Sequence, residues 1–193
     1  MALIMISHIR TLLSCPVAMF TAIAGVSFTA LAAALYSEVA LGLEPCILCI
    51  YQRIPFVIGI LLGLIGLIVR KKPQIVDALL GILGITFLTN SGIAFYHTGV
   101  EQKWWASQVE GCAADFGALS ETSSNSNQSM LENILSAPTA NCADIPWQDP
   151  ILGLSMANYN ILLCFGIFVA CFLSIAIRKQ YGSGCVIPNA KCD

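Results

Sequence analysis

Four long apolar stretches punctuate the chain, at residues 17–35, 50–69, 75–95 and 156–177. A helix needs roughly 20 apolar residues to cross a bilayer core of about 30 Å, and each stretch is of that order. The pattern predicts an all-α integral membrane protein: a four-transmembrane-helix bundle forming a single membrane domain over residues 1–193. Asp77 sits at the near end of the third stretch, where it can reach the headgroups. Arg53 and Pro55 interrupt the second near its start. A charge at membrane depth marks a functional site by default.

Basic residues orient the bundle. Arg10, the run Arg70-Lys71-Lys72, and the pair Arg178-Lys179 fall on one side, which is then the cytoplasm. Arg53 and Lys103 fall on the other. Both termini are expected in the cytoplasm, with a short outer loop near residues 36–49 and a long one near 97–155. The first stretch could instead be a cleaved signal peptide, with Arg10 before it and small residues from Ala30 to Ala34. Its length favours a span, and cleavage would leave Cys46 on the same side.

Composition narrows the class. Hydrophobic residues make up 57% of the chain and charged residues 10%, against about 25% charged in a soluble domain. A net charge of −2 without a dense basic block argues against a nucleic-acid partner. The apolar content excludes disorder for most of the chain. In the long outer loop, Trp104 and Trp105 suit a membrane-interface belt, and residues 120–129 form a flexible Ser/Asn-rich tract. Leu131, Ile134 and Leu135 then share one stripe, which fits either a short interfacial helix or a loop with a few hydrophobes.

The chain has nine cysteines, and topology divides them. Cys15, Cys185 and Cys192 are expected on the cytoplasmic side, where thiols stay reduced. Cys164 and Cys171 lie within the fourth span and read as small buried residues. Cys46, Cys49, Cys112 and Cys142 face outward, so two disulfides are expected.

Cys46-Ile47-Leu48-Cys49 is a C-x-x-C preceded by Pro45. Proline favours the first helical position, so the second helix is expected to start at Pro45, with Cys46 in its first turn. The positive end of a helix lowers a thiol pKa and makes the thiolate a better nucleophile and leaving group. So short a ring is a poor structural staple, which favours redox chemistry. Arg53, four residues after Cys49 and seven after Cys46, shares their helix face and can stabilise a thiolate or donate to a carbonyl. The alternative is that it snorkels to the headgroups. For Cys112 and Cys142, spacing leaves a structural bridge and an exchanging pair equally open. A zinc site built from the four thiolates is disfavoured, because the second pair lacks knuckle spacing, and no metal is expected.

Glu44-Pro45-Cys46-Ile47-Leu48-Cys49-Ile50-Tyr51-Gln52-Arg53 closely resembles the DsbB family of membrane disulfide-generating proteins. Tyr96-His97-Thr98 and Leu152-Gly153-Leu154-Ser155-Met156 do so as well. The resemblance covers nearly the whole chain. It implies a protein-dithiol:quinone oxidoreductase of the bacterial inner membrane, with its redox loops in the periplasm. That activity reoxidises a DsbA-like thioredoxin-fold protein and passes the electrons to ubiquinone or menaquinone. By the same resemblance, Cys112 forms the mixed disulfide with the partner and Cys142 passes electrons to Cys46. Cys49 faces the quinone, Arg53 supports the quinone and the Cys49 thiolate, and His97 is expected near the ring. Two features depart from the family's pattern: the long Ser/Asn-rich second loop, and a tail with Cys185 and Cys192, for which no role is assigned. Among competing classes, a vitamin K epoxide reductase-like protein would carry its C-x-x-C late in the chain. A non-enzymatic tetraspan scaffold would hold two inert disulfides. A solute carrier would need more polar groups in its spans.

Overall fold

A computed structural model describes residues 12–105, 107, 109, 142–145 and 147–181. Cys112, the 120–129 tract, the 131–135 stripe, Cys185 and Cys192 lie outside the described residues. Four long helices carry the architecture: α1 (Pro16–Leu41), α2 (Ile47–Ile68), α3 (Pro73–Glu101) and α4 (Met156–Tyr181). All four are long and apolar enough to cross a membrane. The chain is an all-α, multi-pass membrane protein.

The helix ends follow local chemistry. Pro16 and Pro73 stand at the first positions of α1 and α3, where a missing N–H costs nothing. Gly42 closes α1 in the left-handed region (φ 63°), with its N–H on the Ser37 carbonyl. The helices overrun the apolar stretches. In particular, α3 continues past Phe95 through His97 to Glu101, because those polar side chains are buried against their neighbours instead of being released to water.

In lipid, helices gain little from hiding apolar surface and associate through close packing and hydrogen bonds. Accordingly, α1 packs on α2 and α3 on α4, and α2 joins the two pairs through α3. Gly63 and Gly66 bring α2 against α1. A Cβ at Gly66 would lie 2.5 Å from the Phe20 ring, so only glycine allows this approach. Phe20, Val76, Leu80, Leu83 and Phe87 fill the inner core, and Phe28, Ile68 and Phe172 face outward toward lipid.

Two charged residues pair at the end of the bundle away from Cys46. Arg178 Nε donates to Asp77 Oδ1 at 2.9 Å, and Arg178 is almost wholly buried. Cys15 corrects the expectation of a free cytoplasmic thiol: it is disulfide-bonded. It is fully buried at the N-cap of α1.

Candidate active site

The short link between α1 and α2 delivers Cys46. The helix begins one residue later than proline placement suggests, so Cys46 is the N-cap itself and Pro45 stands outside. Its sulfur does what a serine or aspartate oxygen usually does there, accepting the Cys49 N–H at 3.3 Å. A thiolate accepts far better than a thiol, so the cap favours ionisation.

Cys49 lies one turn on, and both residues are free thiols. Their sulfurs are 2.9 Å apart and share a hydrogen bond. The charge belongs on Cys46, because that sulfur also holds the cap N–H and faces His97 Nε2 at 3.5 Å. The Cys49 thiol hydrogen-bonded to it, with His97 beside it, holds Cys46 well below the usual thiol range, against the burial that pushes it up.

His97 arrives from the C-terminal end of α3 and is buried. Its Nε2 lies 3.7 Å from Glu101 Oε1, one turn further along the helix. Ser155, just before α4, donates its hydroxyl to Glu101 Oε2 at 2.5 Å. The other ring nitrogen, Nδ1, meets Gln52 Nε2 at 3.0 Å, and Asn160 Nδ2 donates to Gln52 Oε1 at 2.6 Å. A turn at residues 149–154 leads the chain into α4. Asp149 accepts the Ile151 and Leu152 N–H groups there, and Gly153 supplies the left-handed residue (φ 64°).

Arg53 lies on the same face of α2 as Cys49 but is not left as a lone cation. Its Nη1 donates to Glu38 Oε2 on α1 at 2.8 Å. Cys142 is disulfide-bonded and fully buried, and it packs in one cluster with Cys46, Leu48 and Val100. Its backbone also interacts with His97. The structure therefore brings Cys46, Cys49, His97 and Cys142 together, with Arg53 on the same cavity wall. Cys112 lies outside the described residues.

That cavity has a volume of about 820 Å³. Ala30, Leu31, Phe56 and Leu163 give it apolar walls, and Cys46, Cys49, Arg53 and His97 also line it. One further property was not expected. Cys46, Cys49 and His97 place three ligand atoms within 4.8 Å of one another, a geometry that could hold a metal ion.

Sequence reasoning missed Gln52, Glu38, Glu101, Ser155 and Asn160. A signal existed for two of them. Gln52 lies three residues after Cys49 and Glu101 four after His97, so each shares a helix face with a residue already singled out. Glu38 and Ser155 reach the site through tertiary packing.

A vicinal thiol pair lining a largely apolar cavity, carried by four membrane helices, is the arrangement of a membrane thiol-redox protein. The comparisons make this specific. The family model described as Disulfide bond formation protein DsbB matches residues 16–174. A Disulfide bond formation protein B from Xylella fastidiosa is 34% identical over 132 residues, 68% of this chain and 73% of that protein. One from Shewanella sp. (strain ANA-3) is 33% identical over 147 residues, covering 75% and 78%. Another, from Xanthomonas axonopodis pv. citri, is 30% identical and covers 78% and 85%. No solved structure matches the chain. The chain belongs to the DsbB family, a membrane oxidoreductase family of disulfide bond formation.

Proposed function

We propose that this protein is a protein-dithiol:quinone oxidoreductase that reoxidises a periplasmic DsbA-like thiol oxidase. The observation that carries it is the burial of Cys142 against Cys46, beside a cavity that reaches Cys49. Both redox loops face the periplasm of the bacterial inner membrane and both termini the cytoplasm.

The exchange proceeds in balanced steps. A partner thiolate attacks the Cys112–Cys142 disulfide at Cys112 and expels Cys142 as a thiolate. The partner's second thiol then closes its own disulfide and frees Cys112, so two electrons and two protons have moved. The Cys142 thiolate attacks a Cys46–Cys49 disulfide at Cys46 and expels Cys49. Cys112 resolves the mixed disulfide, and Cys46 leaves as a thiolate. Leaving groups of low pKa depart faster, and the N-cap, Cys49 and His97 provide that at Cys46. The outcome is the Cys46–Cys49 dithiol with Cys142 again in a disulfide.

A quinone supplies a lipid-soluble acceptor for two electrons and two protons. The cavity suits such a ring: its walls are apolar, and the Arg53 guanidinium can donate to a carbonyl. Cys46, Cys49 and His97 all line that space, so His97 is available near the ring.

The test is quinone reduction by the purified protein in detergent, with a reduced thioredoxin-like oxidase as donor. Turnover by the wild type and background rates for Cys46→Ser are expected. Turnover that survives Cys46→Ser would reject the mechanism. If neither protein turns over, a small dithiol replaces the oxidase. Wild-type turnover then identifies the oxidase as the wrong partner, and continued silence rejects the oxidoreductase reading.

A further inference from the structure

Gln52 and Asn160 take no part in the exchange steps, yet they belong to a directed chain of hydrogen bonds behind His97. Its direction follows from one anchored end. The Gln52 backbone carbonyl can only accept, so Asn90 presents Nδ2 to it, at 3.2 Å. The same amide donates to Cys164 Sγ at 3.2 Å. With that sulfur accepting, its S–H goes to Asn160 Oδ1 at 3.1 Å. Asn160 therefore turns Nδ2 toward Gln52 Oε1, and Gln52 turns Nε2 toward His97 Nδ1.

A ring nitrogen that faces a donor must carry the lone pair, so the proton of the neutral imidazole sits on Nε2. The other end agrees. Nε2 faces the Cys46 sulfur at 3.5 Å and the Glu101 carboxylate at 3.7 Å, both acceptors.

We propose that Gln52, held by Asn160, is a positioning residue that fixes His97 as its Nε2–H tautomer, so the imidazole donates to Cys46 and is withheld from metal ions. This assignment rests on the thiol-exchange function proposed above. The withholding matters because Cys46, Cys49 and His97 form a near-complete ligand set for a soft divalent cation. Such an ion would tie up both thiolates and stop exchange. Binding it requires the Nε2 lone pair, and the Gln52 amide keeps a proton there. A carboxylate at this position would accept Nδ1–H instead and free Nε2, which is how zinc-binding histidines are commonly oriented.

The test uses the full-length dithiol protein in detergent, without oxygen, with Co²⁺ alone as the probe. Gln52→Glu is nearly isosteric and keeps an oxygen for Asn160. It should bind Co²⁺ at least roughly tenfold more tightly than wild type, with a thiolate-to-cobalt absorption band. Equal affinity in the two proteins, or binding in neither, overturns the assignment. Gln52→Leu removes the donor without adding charge and should also bind Co²⁺ more tightly than wild type. Tightening in Gln52→Glu alone reflects the added charge and overturns the assignment. If Gln52→Leu does not fold, Gln52→Met takes its place. The cobalt readout needs no partner or quinone, so failure here with normal wild-type turnover rejects the positioning role alone. Absent turnover with the cobalt results as expected rejects the exchange function instead.

Discussion

Cys46 and Cys49 stand at the N-terminal end of α2, and Cys164 and Cys171 lie seven residues apart within α4; all four are free thiols. Their surroundings differ sharply. The outer pair has an N-cap N–H, an imidazole, a carboxylate and an open cavity around it. Cys171 packs among Phe20, Leu83, Phe87 and other apolar side chains of the inner core. Cys164 stands between the two regions, packed with that core but joined to Asn90 and Asn160 by hydrogen bonds. The lesson concerns solvent. A membrane interior offers no water to stabilise a thiolate, so a thiolate is expected where fixed hydrogen-bond donors replace it.

The sharpest break of this contrast is at the outer pair. Cys46→Ser should reduce quinone-coupled turnover to background while leaving insertion intact. Next comes reactivity. In the reduced wild type, Cys46 should alkylate at least ~10³-fold faster than Cys171 at neutral pH. As its pKa is lowered, its thiolate persists as pH falls through the ordinary thiol range near ~8.5. Its alkylation rate should therefore stay flat from mildly alkaline to mildly acidic pH and fall only further toward acid. A rate that drops tenfold per pH unit just below that range would remove the electrostatic contrast.

Three smaller effects test the inner region. Asp77→Asn leaves the buried Arg178 without its counter-charge and should cost about 2 kcal/mol, read by thermal unfolding in detergent. Gly66→Leu drives a side chain into the Phe20 ring and should cost about 2 kcal/mol. Cys171→Ala removes one buried sulfur, should cost about 1 kcal/mol, and should leave turnover unchanged. Lost turnover in a well-folded Cys171→Ala protein would show that the inner thiol is not inert.

Much of this was legible in the chain. The apolar stretches predict all four helices, because crossing a bilayer demands length and apolarity that leave a plain linear trace. The C-x-x-C and Arg53 are local, and a helix face follows from residue spacing. Less legible was the start of α2. Proline marks where a helix can begin, but the capping sulfur decided that it begins after Cys46. Cys15 misled in the other direction, since compartment alone does not say which sulfurs are buried and bonded.

The sequence by itself determined the medium, the number of spans, the C-x-x-C thiol pair and its family. Each of these is written in composition or short-range spacing. Only the tertiary structure decided what surrounds the thiols. Glu38 is brought to Arg53, Ser155 to Glu101, and Asn160 to Gln52 across 108 positions of chain. In a low-dielectric interior an unpaired polar group is costly, and helix packing, not sequence distance, selects which partner it finds.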